Sequence, residues 1–328
     1  MILVTGGTGF IGAHLLLSLT ETNDRVRAIY RTEESQNKTR NLFELYKKTY
    51  LFERIEWIQA DINDLELLDI AFAKITKVYH CAALVSFDPR DELKLRKINI
   101  EGTANIVNFC LYHNIEKLCY VSSIAALGDA KTEDDLITES TQWNAEKLHS
   151  DYSITKHGAE IEVWRGEQEG LNVVIVNPSI VLGPGFWDSG SGQIFSNVEK
   201  GLKYYTLGTV AFIAVTDVVA QMIALMNSDI SGKRFILSAE NIRYTDLINW
   251  IADILEKARP TIELKEWMTN IFWRLDGIKT AIFGGKRTLT KTISQSLHHT
   301  TLYSNDAIKE ATAATFIPIK EYLPQLRK

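Results

Sequence analysis

The chain has 328 residues, of which 45% are hydrophobic and 23% charged, with a formal net charge of −5. That balance suits a soluble globular protein with a large core, and it supplies no basic field for nucleic acid or an anionic surface. No apolar run reaches the roughly 18 residues that a membrane span needs. The chain starts directly on an apolar strand, so no signal peptide is expected and a cytoplasmic location is. Cys81, Cys110 and Cys119 lack metal-ligand spacing and read as buried reduced thiols; no metal site is expected.

Ile2 to Val4 reads as a buried strand, Thr5 to Gly12 as a glycine-rich turn and Ala13 to Leu19 as the helix that follows. Glycines in such a turn let backbone N–H groups approach a pyrophosphate, and the helix dipole favours its charge. Gly7-x-Gly9-x-x-Gly12 fits the general dinucleotide fingerprint; Thr5-Gly6-x-x-Gly9-x-x-Gly12 is a narrower pattern. Further strands are predicted at 25–30, 55–59, 77–81, 117–122 and 171–177. Helical periodicity fills 10–22, 37–50, 64–74, 91–113 and 143–169. This alternation predicts an α/β fold, a doubly wound parallel sheet with right-handed crossovers. Beyond Pro178 the pattern loosens. A helix at 215–226 and a strand at 234–237 are expected, and from about 239 the chain reads as helical with short breaks. The expected division is 1–177 plus about 209–238 as the dinucleotide-binding domain. About 178–208 plus 239–328 form a smaller, mainly helical C-terminal substrate lobe.

Two groups in this frame carry chemistry. Tyr152 and Lys156 stand four apart on a predicted helix and so share a face. A cation beside a phenol favours the phenolate, and such a tyrosine can exchange a proton with an alcohol or carbonyl oxygen. Ser122 and Ser123 follow the strand at 117–121, at the sheet edge where open α/β sheets bind ligands. A hydroxyl there can hold the substrate oxygen. The segment from Trp267 to Phe283 is rich in aromatic and aliphatic residues. It is expected to pack on the core or line a pocket, with an amphipathic helix lying on a lipid surface as the alternative. His80 and His157 read as structural, and His298-His299 as surface.

Taken together, these motifs resemble the extended short-chain dehydrogenases/reductases: the nucleotide-sugar epimerases and dehydratases, 3β-hydroxysteroid dehydrogenases and dihydroflavonol reductases. The resemblance is clear over about 1–240 and loose beyond. It implies a Rossmann fold and a homodimer formed through helices near 91–113 and 143–165. It implies a cofactor loop containing Gly6, Thr8, Gly9, Phe10, Ile11 and Gly12, with Asp61 and Ile62 at the adenine. Ala82 and Ala83 lie along the cofactor, and Pro178 and Ser179 meet the nicotinamide. Tyr152 and Lys156 match the catalytic pair, Ser123 the substrate-orienting serine, and Asn99 the asparagine that supports the lysine through a water.

The cofactor and substrate expectations rest on individual positions. An acidic residue ending the second strand takes the ribose hydroxyls of NAD, whereas arginine accommodates a 2′-phosphate. This strand ends Ala28-Ile-Tyr-Arg31, and Lys38 adds a second cation nearby. NADP(H) is therefore expected, with NAD as the alternative. Nucleotide-sugar enzymes of the family carry an arginine and a histidine where this chain has Val210 and Ala214. A small alcohol or ketone is expected instead. An epimerase or dehydratase with retained NAD, and a non-catalytic NADP-sensing protein, are the alternatives.

Overall fold

We describe the chain from a computed structural model, which covers residues 1–22, 25–132, 135–285, 287 and 289–326; the side chains of 281–283, Ile282 and Phe283 among them, lie outside the described residues. Seven strands form one sheet. Their order is Lys233–Leu237, Val173–Pro178, Lys117–Val121, Lys77–His80, Ile2–Thr5, Val26–Tyr30 and Glu56–Gln59. Every neighbouring pair in it is parallel. Helices cover both faces, which is why the central strands read as unbroken apolar runs rather than alternating ones; Lys117–Val121 and Val173–Pro178 are buried along their whole length. One apolar cluster, with Leu15, Leu16, Val218 and Met222, lies on one face. Another, with Ile106, Val107, Ala159 and Val163, lies on the opposite face. The chain reverses its direction of winding between Ile2–Thr5 and Lys77–His80. Ligands of open α/β sheets bind at such a reversal, off the strands' C-terminal ends.

A three-stranded sheet of Ile180–Leu182, Thr209–Ala214 and Glu240–Arg243 adjoins the large one. Residues 209–214 pair there, while the helix Val215–Met226 and the strand Lys233–Leu237 belong to the large sheet's layers. A further core, around Phe195, Phe212, Leu247, Ile251 and Tyr322, packs on this small sheet.

Several elements differ from expectation. The helix that carries Tyr152 and Lys156 runs Asp151–Gln168 rather than from 143, because the Ser150 hydroxyl caps it by accepting from Ser153 N–H at 3.1 Å. The segment 91–113 is not one regular helix: a π-helical stretch, Arg96–Glu101, precedes Gly102–Tyr112. The predicted helix over 37–50 starts earlier, at Glu33, behind a Thr32–Ser35 capping box. Beyond 239 the chain contains short strands at Glu240–Arg243, Ile262–Glu263 and Leu302–Tyr303, which two- and four-residue pairings leave invisible in the periodicity. In the helix Glu266–Phe283, Trp267, Ile271, Phe272, Leu275 and Ile278 are exposed. Those side chains therefore do not pack on the core.

Two buried histidines make acid stability predictable. Burial drives His14 down to about 4 and His80 down to about 3, where the nearby Lys156 charge adds to the effect. In the unfolded chain both titrate near 6.5. Below that value the unfolded state holds more protons than the folded one, so stability falls as pH drops from about 6.5 toward 3. The urea midpoint is expected to fall across this window. His14→Gln, which can still donate to the Pro184 carbonyl that His14 meets at 3.2 Å, should flatten the slope.

Candidate active site

The glycine turn bridges the first strand and the helix Phe10–Glu21. Gly6 takes φ +67°, and a Cβ there would lie 2.5 Å from Ala82 N; one on Gly12 would lie 2.2 Å from the Gly6 carbonyl oxygen. No side chain fits at either place. Gly9 caps the helix without a side-chain acceptor, so the first-turn N–H groups stay available to an anion. Thr39 from the next helix donates to the Gly7 carbonyl at 3.0 Å and pins the turn. Phe10 and Ile11 contribute backbone at this point; the Phe10 ring packs on Phe186, and Ile11 packs against the core.

Arg31 and Asp61 lie just beyond the ends of adjacent strands and face each other, with 3.9 Å between Nη1 and Oδ2, Arg31 exposed and Asp61 half-buried. Ile62 is buried against Gly102, whose absent Cβ leaves it room. Lys38 is exposed on the helix Glu33–Leu45. Ala82 donates its N–H to Thr5 Oγ1 at 3.3 Å, and Ala83 lies exposed beyond it. Pro178 closes its strand, and Ser179 is buried with its hydroxyl lacking a protein partner, as is Ser122. A glycine cradle, a bare helix N-terminus and two unpartnered buried hydroxyls are a donor set that fits a nicotinamide dinucleotide.

The catalytic candidates meet at the C-terminal end of Lys117–Val121. Tyr152 sits in the first turn of its helix, half-buried, edge-on to Phe87 at 5.7 Å. Burial raises its pKa, and a side-chain hydrogen bond with Ser123 pulls it back. Ser123 Oγ also accepts from Ala125 N–H at 3.1 Å, which orients it. Lys156 is 1% exposed. It donates to the Tyr120 hydroxyl at 2.7 Å and the Val121 carbonyl at 2.9 Å. Burial lowers Lys156 to about 7, partly offset by the Glu160 carboxylate. Asn99 lies in the π-helical stretch. It accepts from Leu84 N–H at 2.7 Å and donates to Thr155 Oγ1 at 3.1 Å, next to Lys156 in sequence.

Two polar networks around these residues had no sequence signal. Thr5 Oγ1 meets His80 Nδ1 at 2.6 Å, and His80 Nε2 meets Thr103 Oγ1 at 3.0 Å. The His80 ring also packs on Tyr120 at 5.4 Å, the partner of Lys156. Buried polar side chains therefore line the path from the glycine turn to the lysine. On the other side, Asn177 Nδ2 donates both to the Ser123 carbonyl at 2.9 Å and to Glu160 at 2.5 Å. Glu160 also pairs with Arg234 at 3.1 Å. Arg234 reaches the Glu139 carbonyl, whose own carboxylate accepts from Ile236 N–H. The Tyr152-x3-Lys156-x3-Glu160 spacing was present in the chain, but nothing local shows that Asn177 and Arg234 converge on its third member. His157 is turned away, stacked on Trp143 at 4.3 Å with Nδ1 at the Ala126 carbonyl.

On the substrate side Val210 is half-buried and Ala214 fully buried, so neither position carries a cation. Arg243, exposed, stands opposite Thr209 in the register. Trp187 packs on Phe195 in the lobe core rather than facing open space.

Residues 2–237 match the model of the NAD dependent epimerase/dehydratase family. The chain belongs to this family. Within the epimerase/dehydratase family it is 31% identical to a putative dihydroflavonol 4-reductase of Synechocystis sp. over 82% of this chain and 76% of that protein. It is 25% identical to a UDP-glucose 4-epimerase of Vibrio cholerae over 91% and 88%. Among solved structures, gox2253 superposes with a TM-score of 0.83 at 25% identity, covering 99% of this chain and 96% of that one. A Thermotoga maritima UDP-glucose 4-epimerase with UDP-glucose gives 0.79 at 17% identity over the same shares, a likeness of fold alone. The protein is thus an enzyme of the NAD(P)-dependent oxidoreductase and epimerase group, on a Rossmann fold.

Proposed function

We propose that this enzyme interconverts a secondary alcohol and a ketone, with NADP(H) as the cofactor and a small molecule other than a nucleotide sugar as the substrate. The observation that carries the reading is the meeting of Tyr152, Ser123 and Lys156 at the sheet's C-terminal edge, where Lys156 bonds the Val121 carbonyl two residues before Ser123 and sits one helical turn from Tyr152. Bound nicotinamide would give or take the hydride. Tyr152 delivers the proton to the carbonyl oxygen in reduction and removes it from the hydroxyl in oxidation. Ser123 holds that oxygen toward the phenol. Lys156 leaves Tyr120 to meet the ribose and lowers the Tyr152 pKa, while Asn99 fixes the turn that carries Thr155 and Lys156. Gly6, Gly9 and Gly12 would admit the pyrophosphate, Asp61 and Ile62 would border the adenine, and Ser179, whose buried hydroxyl is unpartnered, would meet the nicotinamide amide. Apolar Val210 and Ala214 supply no clamp for a diphosphate, which favours this reading over an epimerase with retained NAD.

The similarity to a putative dihydroflavonol 4-reductase supports the reductase reading. Turnover of a ketone panel with NADPH tests it: stoichiometric release of NADP supports it, whereas isomerisation without net redox overturns it. We further propose that the enzyme acts in the cytoplasm and that residues 1–177 with about 209–238 bind the cofactor. The rest forms the substrate lobe. Exposed Tyr112 and Ile161, at 76% and 54%, would pair across a homodimer. Arg31 decides the cofactor. Losing one charge-assisted contact of about 1.5–3 kcal/mol should make Arg31→Ala weaken NADPH binding tenfold or more. NADH should be nearly unaffected; titrations following dihydronicotinamide fluorescence read both.

A further inference from the structure

The helix Glu266–Phe283 is turned inside out. Among its described residues the side chains it buries are threonines, Thr269 and Thr280, while Trp267 and Ile278 are 63% and 56% exposed. At about 100° per residue, Trp267, Ile271, Leu275 and Ile278 fall within an arc of about 80°. Arg274 borders that arc on one side and Lys279 on the other, both exposed. The helix's carboxylates lie off the arc. Asp276 is half-buried and accepts from Leu289 N–H at 3.0 Å, and Glu266 occupies the first turn away from Trp267.

Charge follows the same pattern. From Lys265 to Lys291 the chain has six cationic residues and two acidic ones, in a protein whose net charge is −5. At the helix's N-terminal end Tyr204 and Ile262, paired in register, extend the exposed apolar surface. Among the described residues no helix is long and apolar enough to cross a membrane.

We propose that this face is a bilayer-docking surface: the helix lies in the plane of an anionic membrane, its apolar arc among the acyl chains and its flanking cations at the lipid phosphates. Interfacial helices have this form, with aromatic and aliphatic residues on one face and lysine or arginine beside it. Anionic lipid fits better than a second copy of the chain, since two such faces would bring Arg274 and Lys279 of each copy against like charges. The docked lobe adjoins the site. Arg287 N–H donates to Asp88 at 3.0 Å, and Asp88 directly follows Phe87, the ring packed on Tyr152.

Vesicle flotation of the full chain tests the surface, using phosphatidylcholine vesicles with and without phosphatidylglycerol. Binding is expected to the mixed vesicles and to fall with added salt. Removing each buried apolar side chain should cost about tenfold in partitioning. Trp267→Ser/Ile271→Ser/Leu275→Ser should therefore abolish flotation, while NADPH binding stays unchanged as the check of fold. Arg274→Gln/Lys279→Gln should remove the preference for phosphatidylglycerol, and Ile70→Ser, an equally exposed apolar position on the large sheet's own helix layer, should float like the parent. No flotation of the parent, or equal flotation of parent and triple variant, overturns the proposal. So does a change of oligomeric state in the triple variant when neither chain floats. None of these readouts depends on the reaction catalysed.

Discussion

Tyr152→Phe is expected to lower kcat by about 10²–10⁴-fold, the usual contribution of a positioned acid or base, with NADPH affinity unchanged. The substitution removes one oxygen. The phenyl ring keeps its edge contact with Phe87, so the helix Asp151–Gln168 should fold as before. What is lost is the group that passes a proton to the carbonyl oxygen. Ser123 then remains as a hydrogen-bond donor to that oxygen, but its own proton is far too weakly acidic to replace a phenol. Single-turnover reduction of an identified ketone, followed through NADPH absorbance, measures the effect. Retention of more than a tenth of the parental rate would remove Tyr152 from the mechanism, and with it the reading of this site as a reductase centre.

Glu160→Ala is expected to cost about 3–5 kcal/mol of stability, the range for breaking a buried ion pair by removing one partner. Glu160 is 1% exposed, and its loss leaves the Arg234 charge, 20% exposed, facing a void. It also frees Asn177 Nδ2, which now bridges Glu160 to the Ser123 carbonyl. Glu160→Gln separates the two contributions. Its amide oxygen can still accept from Asn177, so Ser123 should stay in place, while the charge opposite Arg234 is gone. The sign for Lys156 follows from the same pair. Glu160 holds Lys156 up toward its charged form against burial; without that carboxylate Lys156 should titrate below about 7. The limb of the kcat/KM profile that reports Lys156 should move to lower pH in Glu160→Gln. Urea denaturation and the pH profile check the two effects independently. An unmoved limb would mean that Glu160 supports the fold and leaves the lysine untouched.

Much of this protein was legible in the chain because its information is local. Backbone geometry in the turn admits only glycine at positions 6 and 12, where a Cβ would strike Ala82 N and the Gly6 carbonyl oxygen. That requirement writes itself into consecutive residues. The alternation of apolar strands with amphipathic helices likewise specified the parallel order of the large sheet, since a strand buried on both faces needs a continuous apolar run. Tyr152 and Lys156 share a face by helical period alone.

The limits of local reading are equally specific. Ser150 rather than residue 143 starts the helix that carries Tyr152 and Lys156 because a side-chain cap outweighs hydrophobic period at a helix end. Two-residue strands such as Leu302–Tyr303 exist because Leu136–Ile137 stands beside them, and no propensity over so few residues encodes that. The shared helix face does not reveal that Lys156 bonds Tyr120 and Val121. The strand and helix that bring these groups together are 36 positions apart in sequence.

The sequence by itself determined the family, the glycine cradle and the shared helix face of Tyr152 and Lys156, each of which depends on residues within one strand–turn–helix unit or one helical turn. Tertiary structure alone decided that Glu160, Asn177 and Arg234 converge behind Ser123, that Thr5, His80, Thr103 and Tyr120 line up behind Lys156, and that the helix Glu266–Phe283 presents its apolar arc outward. The physical reason is the same in all three cases. Burial and hydrogen-bond partnership are properties of residues far apart in the chain, and only the packed layers bring them within bonding distance.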